Sequence, residues 1–286
     1  MDWVIRMNEA VAVIEAGLTG QIDYERAARA ACCSPWHFQR MFAYLAGMPL
    51  GEYVRRRRLT LAAMELAGGN TAVVDLAVKY GYDSREAFTR AFRKLFGISP
   101  SAARAGAGLK AYPPMAFHIT IKGGTEMNYR ICELDAFSTV GITHRVNTAT
   151  SFQEIPELWK GFMAEDLFGK LWALKSPGEP FGGVLGVLSG GNFGKKEQFD
   201  YALAVVSGEN PPEGMTRIDF PKSLWVVFTA EGEPLALQGL WDQLYTQWVP
   251  ALDAVYDLAW LPSIECYLPP EAGKNELWIP IVKKQG

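Results

Sequence analysis

Side chains suited to paired hydrogen bonds occur in the stretch SPWHFQRMF at residues 34–42. Residues advance about 100° each along a helix, so a helix capped by Ser34 gathers its apolar residues on one face. Trp36, Gln39 and Arg40 then point the opposite way. Arginine can donate to the paired acceptors of guanine, glutamine can bridge an adenine edge, and tryptophan can cover a thymine methyl group. The spacing predicts a helix that enters the major groove of DNA.

A second reading of the same helix stays open. In it, a neighbouring domain covers Trp36, and Arg40 forms an ion pair at the surface. His37 lies on the flank of the helix, and we expect it near the DNA backbone rather than in a catalytic role.

The pattern recurs further along the chain. A helical stretch at 72–81 is followed by a turn and the helix SREAFTRAFRKLFG at 84–97, so both units fit a helix-turn-helix. Phe88 and its apolar neighbours form the buried face of the later helix. The candidate DNA contacts on its other side are Glu86, Thr89, Arg90 and Arg93. The arginine run 55–58 must ring the helix between the two units, and Arg55 is our candidate from that run for a phosphate contact.

The elements that position these residues change type after the first third of the chain. Residues 1–104 are predicted to be almost wholly helical, and AGAGLKAYPP at 105–114 is a linker of small residues and prolines. Strands are predicted at 115–123, 127–137, 182–188 and 199–206, with a helix at 151–167. Two further strands, a helix at 234–252 and two last strands repeat that order. The fold class is therefore multidomain, with an all-α double helix-turn-helix domain followed by an α+β domain of two pseudo-symmetric strand-strand-helix-strand-strand halves.

The predicted domains are 1–107 for the helical part, 108–126 for a linker and connecting strand, and 127–286 for the rest. Residues 1–110 hold 15 Lys and Arg against 10 Asp and Glu, a balance of +5, whereas 111–286 hold 13 against 21, a balance of −8. A basic first part suits a polyanionic partner.

Composition is ordinary for a globular protein, with 49% hydrophobic and 21% charged residues. Neither a secretory signal nor a membrane-length apolar run is found, and the four cysteines are few and irregularly spaced. We therefore expect a cytoplasmic protein with reduced thiols and no membrane partner. The three histidines show no metal-ligand spacing. No metal, cofactor or catalytic residue is predicted.

The stretches WHFQRMF and LAVKYGYDSREAFTRAFRKLFGISPSAAR resemble the AraC-type DNA-binding domain over roughly residues 8–104. The resemblance implies seven helices, with two recognition helices entering successive major grooves. Carried over by position, Trp36, Gln39 and Arg40 would read bases and backbone in the first unit. Glu86, Thr89 and Arg90 would do so in the second, where the acidic residue is a departure. Its carboxylate could accept from a cytosine amino group, or it could mean that the second helix docks weakly on DNA.

Residues from about 127 to 284 resemble the GyrI-like effector-binding domain, through MNYRICELDAFSTVGI, IPELWKGF, SLWVVFTAEG and SIECYLPPEAGKNELWIPI. This resemblance implies two halves that form a curved sheet with a groove between them. In SIECYL, Glu265 and Tyr267 alternate with apolar residues, and aromatic walls around a carboxylate suit a lipophilic cation. Glu265 is the first choice for the pocket acid, and Glu276 is the second. The other candidate ligand contacts are Tyr201, Tyr267, Trp159, Trp225 and Phe193, the last in a glycine-rich segment that forms a hairpin or a loop over the groove mouth.

The leading hypothesis is a one-component transcriptional regulator that binds promoter DNA, a small lipophilic or cationic effector and RNA polymerase. The alternatives are a small-molecule hydrolase, in which Glu265 and a tyrosine act as general acid and base, and a protein that sequesters toxic cations. In either alternative the DNA-binding domain would be attached to a protein whose main role is not transcriptional regulation.

Overall fold

The computed structural model of the chain describes residues 2–108, 110–118, 128–148, 150–164, 167–192, 198–252 and 255–284. Helices occupy the first part, and an antiparallel sheet with flanking helices occupies the second. No helix within these ranges is long and apolar enough to cross a bilayer. The same ranges hold no group of three or more His, Cys, Asp or Glu residues arranged to bind a metal ion.

Short, capped helices form the N-terminal region. Three of them begin at a serine whose hydroxyl accepts a backbone N–H of the first turn, which is the usual N-cap bond. The helices described there are α1 (Asp2–Ala16), α2 (Tyr24–Ala30), α3 (Pro35–Ala46), α4 (Leu50–Gly68), α5 (Val73–Lys79), α6 (Arg85–Phe96) and α7 (Pro100–Arg104). Their number agrees with the seven helices that the AraC-type resemblance implies.

Helices α3 and α6 are built alike. Each has a serine N-cap, two buried phenylalanines four residues apart, and a left-handed glycine at its C-cap, where a side chain would be strained. The equivalent pairs lie 50 residues apart and are Ser34 and Ser84, Phe38 and Phe88, Phe42 and Phe92, Gly47 and Gly97. The two helix-turn-helix units predicted from the sequence therefore repeat in register.

The second region alternates strands and helices. Its elements are β1 (Tyr129–Leu134), β2 (Phe137–Asn147), α8 (Ser151–Ala164), α9 (Leu167–Ala173), β3 (Val184–Asn192), β4 (Gln198–Val206), β5 (Thr216–Phe220), β6 (Ser223–Glu231), α10 (Ala236–Gln243), a π-helical turn (Leu244–Trp248), α11 (Val249–Leu252), β7 (Tyr256–Leu258), β8 (Ser263–Tyr267), a short 3-10 helix (Pro270–Ala272) and β9 (Lys274–Lys283).

The sheet confirms the predicted duplication. Its strand order is β1-β6-β9-β8-β3-β4-β2-β5, with β7 added beside β9. If β1, β2, β3 and β4 are matched to β5, β6, β8 and β9, the order reads the same from both ends. The pseudo-twofold axis then passes between β3 and β8, and each edge strand pairs with the opposite half. The two halves therefore exchange their edge strands.

The described residues form three hydrophobic cores. One lies within the second helix-turn-helix unit, between the later part of α4 and helices α5, α6 and α7. Another covers one face of the sheet and is rich in aromatic rings. The largest is continuous from α1, α2 and α3 to the helix-covered face of the sheet. The first helix-turn-helix unit thus shares a core with the C-terminal region, a contact that the sequence analysis gave only as its second reading.

Two predicted elements need correction. The strand expected at 115–123 is not formed in its described part, 115–118, where the chain lies along the helical region instead. Phe117 pairs through its backbone N–H and carbonyl with the Asn8 side chain, at 2.8 and 3.1 Å, and so has no strand partner. The helix predicted at 234–252 is interrupted by the π-helical turn. Helix α9 and strand β7 were not predicted.

The arginine run 55–58 does ring helix α4, as expected. Arg57 is buried, and its guanidinium donates to both carboxylate oxygens of Glu15, at 2.9 and 2.7 Å. Arg58 donates to the carbonyls of Leu18 and Gly20. Arg55 is exposed and forms an ion pair with Glu52.

Candidate ligand groove and nucleic-acid interface

An apolar groove of about 550 Å³ lies between helix α8, the start of α10 and strand β8. Such a volume is typical of small-molecule sites. Most of the described lining residues are apolar or aromatic, and the charged ones among them are Arg40, Lys160 and Glu265. Lys160 forms an exposed ion pair with Glu157 at 2.6 Å, so its charge is already balanced at the surface.

Glu265 is the buried acid of this groove. Its Oε1 accepts a hydrogen bond from Trp241 Nε1 at 2.7 Å, and its Oε2 accepts from the hydroxyls of Tyr267 and Tyr201, at 2.8 and 3.1 Å. Trp159 Nε1 donates in turn to the Tyr201 hydroxyl at 3.2 Å. Four of the residues predicted for the ligand site, Glu265, Tyr267, Tyr201 and Trp159, are therefore connected by one hydrogen-bonded network.

Strand geometry explains why these groups meet. Successive side chains of a strand point to opposite faces, so Glu265 and Tyr267 face the helices while Ile264 and Cys266 face the other core. Strands β8, β3 and β4 are neighbours in the sheet. Tyr201, on β4, reaches Glu265 across β3, where Gly186 provides the necessary space.

The tyrosines of the network are hydrogen-bond donors. Burial, followed by the nearby Glu265 carboxylate, raises the pKa of both Tyr201 and Tyr267 well above the usual range. Both hydroxyls therefore keep their protons at neutral pH. They can orient and stabilise the carboxylate, but they do not provide a phenolate base.

Two of the predicted ligand contacts are wrong in position, and a third cannot be placed. Trp225 is fully buried on the opposite face of the sheet, because it alternates with Val226, which faces the groove side. Glu276 also lies on that opposite face, where Arg130 pairs with both of its oxygens, at 2.9 and 3.0 Å. Phe193 lies outside the described residues.

Helix α6 presents the predicted DNA contacts of the second unit to solvent. Glu86, Arg90 and Arg93 are exposed and Thr89 is half-buried, while Phe88 and Phe92 on the other side are in the core. The positions expected to face DNA in this unit are therefore open.

Helix α3 differs. Trp36, Gln39 and Arg40 were predicted to face away from their own core into DNA, and His37 was predicted on the flank of the helix near the DNA backbone. All four are buried, with exposed fractions of 4% for Trp36, 1% for Gln39, 5% for Arg40 and 0% for His37. The expectation of exposure is wrong because the C-terminal region packs on this face. Trp36 contacts the rings of Phe199 and Trp241, at centroid distances of 6.0 and 5.7 Å. The second reading of the sequence, that a neighbouring domain covers Trp36, is the one observed.

His37 is held between two hydroxyls of the C-terminal region. Its Nδ1 lies 3.1 Å from the Tyr245 hydroxyl, and its Nε2 lies 3.1 Å from Ser263 Oγ. Burial, with a smaller effect of the Arg40 charge, lowers the pKa of His37 to about 3. At neutral pH the imidazole is therefore uncharged, and one ring nitrogen donates while the other accepts.

Arg40 lies inside an aromatic cage. Its guanidinium carbon is 4.0 Å from the Trp241 ring centroid, 5.7 Å from those of Trp36 and Phe152, and 5.8 Å from that of Tyr44. These distances fall within the range of cation–π attraction. The alternative that Arg40 forms a surface ion pair is therefore wrong, since the side chain is buried among aromatic rings.

Sequence reasoning missed four residues of the site, Trp241, Tyr44, Phe152 and Gly186. Trp241 was not among the predicted ligand contacts, although the motif QGLWDQLY places it in the helix of the second half as PELWKGFM places Trp159 in the first. The cage requires contact between two regions that are distant in sequence. No local pattern signals such a contact.

Each of the two regions matches a family of known proteins. Residues 27–106 match the family model of a helix-turn-helix domain, and residues 127–282 match that of the GyrI-like small molecule binding domain. The HTH-type transcriptional activator AarP of Providencia stuartii is 43% identical over 98 residues, which are 34% of this chain and 73% of AarP. The right origin-binding protein of Escherichia coli K12 is 33% identical over 118 residues, 40% of this chain and 41% of that protein.

Among solved structures, a putative transcription regulation protein from Staphylococcus aureus MU50 covers 55% of this chain and 99% of its own, at 21% identity and a TM-score of 0.45. The class defined by fold and site is a helix-turn-helix protein with a small-molecule-binding domain. More specifically, the chain belongs to the GyrI-like family and carries an AraC-type regulator domain at its N-terminal end.

Proposed function

We propose that this chain is a transcriptional regulator that binds promoter DNA through helices α3 and α6 and is controlled by a lipophilic cation in the groove beside Glu265. The observation that carries the effector class is Glu265 itself. It is a buried carboxylate with three donors, at the base of a groove with aromatic and aliphatic walls. Such a site combines charge pairing with cation–π attraction and apolar burial.

A charge-matched pair of probes tests the effector class. Tetraphenylphosphonium and tetraphenylborate have nearly the same shape and opposite charge, and isothermal titration of the full chain measures their affinities. The cation should bind more tightly than the anion. Glu265→Gln should weaken binding of the cation about tenfold or more, because a loss of about 1.4 kcal/mol of charge interaction lowers the affinity by a factor of ten.

Glu213→Gln is the control, since Glu213 is an exposed loop carboxylate and the substitution changes the net charge equally. Its affinity for the cation should equal that of the wild type. Tighter binding of tetraphenylborate would instead assign the groove to anions, through Arg40 and Lys160, and would end the cation proposal.

DNA binding through the second unit is supported by the open face of α6. A duplex selected from a random library by the full chain serves as the probe. Arg90→Ala should relax its sequence preference, since a paired base contact provides about 1–3 kcal/mol of discrimination. Arg55→Ala should weaken binding to all duplex sequences alike. It should also reduce the slope of log affinity against log salt concentration by about one, because one phosphate contact is lost. Arg26→Ala, at an exposed site on α2, is the control.

RNA polymerase is the further partner in this proposal. AarP carries the name of a transcriptional activator, and an activator acts by contacting polymerase at the promoter. In transcription from a template carrying the selected duplex, the full chain should change the transcript yield. An unchanged yield with the duplex fully bound would remove polymerase from the proposal.

The hydrolase and sequestration alternatives make different predictions. A hydrolase would convert a bound ester or amide, with the Glu265 carboxylate as general base and a protonated tyrosine beside it as general acid. A sequestering protein would bind the cation with no effect on DNA affinity. Product formation in the first case, or unchanged DNA affinity at saturating cation in the second, would replace the regulator proposal.

A further inference from the structure

The face of α3 assigned to DNA is the same face that contacts the C-terminal region. Trp36 and Arg40 are 4% and 5% exposed there, whereas the equivalent residues of α6, Glu86 and Arg90, are open to solvent. A helix fits the major groove, about 12 Å wide, only when its outward side chains are free. The docked arrangement therefore prevents α3 from reading bases.

The docked Arg40 occupies a site built for a cation. Four aromatic rings surround its guanidinium, with Trp241 at 4.0 Å from the ring centroid. Within the described part of the chain, its buried Nε has no hydrogen-bond acceptor. Ring faces therefore provide much of the cage's contact with the charge, and such faces also attract other organic cations.

This cage and the proposed effector groove are parts of one site. Arg40 and Phe152 line both the groove of about 550 Å³ and an adjoining cavity of about 220 Å³, so they form the wall between the two. Trp241, whose ring face covers Arg40, donates its Nε1–H to Glu265. A ligand bound at Glu265 therefore approaches the same tryptophan that holds Arg40.

We propose that Arg40 is an internal cation in the effector site and that a lipophilic cation displaces it, which releases helix α3 to DNA. The inference rests on the proposed function and adds its regulation. Two positive charges in one apolar site repel each other, so effector and docked Arg40 bind in competition. Coupling is reciprocal, so DNA that captures α3 raises the affinity for the cation by the same factor.

The first test needs no DNA. Arg40→Met keeps most of the side-chain volume but removes the competing charge, so tetraphenylphosphonium should bind about tenfold more tightly than to the wild type, within the usual range of coupling. Arg29→Met removes an exposed charge from α2 and should bind like the wild type. Equal or weaker binding by Arg40→Met would overturn the proposal.

The second test leaves the DNA-facing residues intact. Phe152→Ala removes a partly exposed cage wall from α8, and without any cation it should bind the library-selected duplex several-fold more tightly than the wild type does, because α3 is held less firmly. Trp172→Ala, a similarly exposed aromatic on α9 outside the groove lining, should leave DNA affinity unchanged. Unchanged affinity in Phe152→Ala would contradict the docking model even if Arg40→Met failed to fold.

The two proposals fail differently. If tetraphenylphosphonium binds neither the wild type nor Arg40→Met, the assignment of the groove to cations fails, and the inference fails with it. If the cation binds in a Glu265-dependent way but Arg40→Met does not bind it more tightly than the wild type does, only the proposed competition between the cation and Arg40 is wrong.

Discussion

Gly186 lies opposite Glu265 in the β3–β8 pair, and the space above it is occupied by the hydroxyl of Tyr201. A Cβ at position 186 would overlap that hydroxyl and its ring. A glycine inside a strand costs about 0.5–1 kcal/mol relative to alanine, so its presence here calls for a reason. That reason is the hydrogen bond from Tyr201 to Glu265, which needs a tyrosine to cross the central strand.

Gly186→Ala should therefore weaken tetraphenylphosphonium binding about tenfold. The added methyl group forces Tyr201 away from Glu265 and removes a hydrogen bond to a charged group, which contributes about 1.5–3 kcal/mol. Titration calorimetry on the full chain measures the change. Gly208→Ala is the control, since a Cβ at Gly208 meets nothing within 4 Å. Wild-type affinity in Gly186→Ala would mean that Tyr201 has no part in holding the carboxylate.

Two arginines of the run in α4 are expected to have different roles, Arg57 in stability and Arg55 in DNA contact. Arg57→Ala should lower the free energy of unfolding by about 3–5 kcal/mol, because it leaves the largely buried Glu15 carboxylate without its cation. Arg55→Ala, at an exposed site in the same helix, should change the free energy of unfolding by no more than about 0.5 kcal/mol. Urea denaturation of the two variants measures the difference. Equal destabilisation would contradict the assignment of Arg57 to structure and Arg55 to the surface.

Local periodicity was enough for much of this fold. The serine caps and phenylalanine pairs of α3 and α6 lie within single helices, so the sequence predicts both units directly. Alternation in SIECYL likewise predicts that Glu265 and Tyr267 share a face, as they do. For Trp225 the alternation of SLWVVFTAEG shows two faces, but nothing in it says which one meets the groove.

The sequence left the contact between the two regions as an alternative and could not decide for it. The prediction of an exposed α3 followed from the amphipathic pattern of that helix, which distinguishes its own core side from the other side. The other side is covered by Trp241 and Phe199, more than 150 residues later in the chain. Because a DNA-reading surface and a docking surface both use aromatic and arginine side chains, residue type did not separate them.

Arginines 40 and 90 should respond differently to the effector. Without cation, Arg90→Ala should weaken binding to the selected duplex, whereas Arg40→Ala should not, because only α6 presents its face to DNA. At saturating tetraphenylphosphonium both variants should bind more weakly than the wild type, by about 1–3 kcal/mol for a lost base contact. Fluorescence anisotropy with the labelled duplex gives the four affinities. A loss in Arg40→Ala without cation would show that α3 already reads DNA.

Docking of α3 should weaken as the pH falls below about 6.5. His37 faces the Tyr245 and Ser263 hydroxyls, the Trp36 ring and the Arg40 charge, and its pKa is about 3 when docked against 6.5 for the free group. The lowered value means that protonation favours the undocked arrangement. Docking is therefore independent of this group above pH 6.5 and loses about 1.4 kcal/mol per unit below it, or about 2 kcal/mol at pH 5. Hydrogen exchange of α3 amides, corrected for the intrinsic pH dependence, should accelerate relative to α6 between pH 7.5 and 5. In His37→Gln, which does not titrate, that relative acceleration should disappear; if it persists, another group controls the docking.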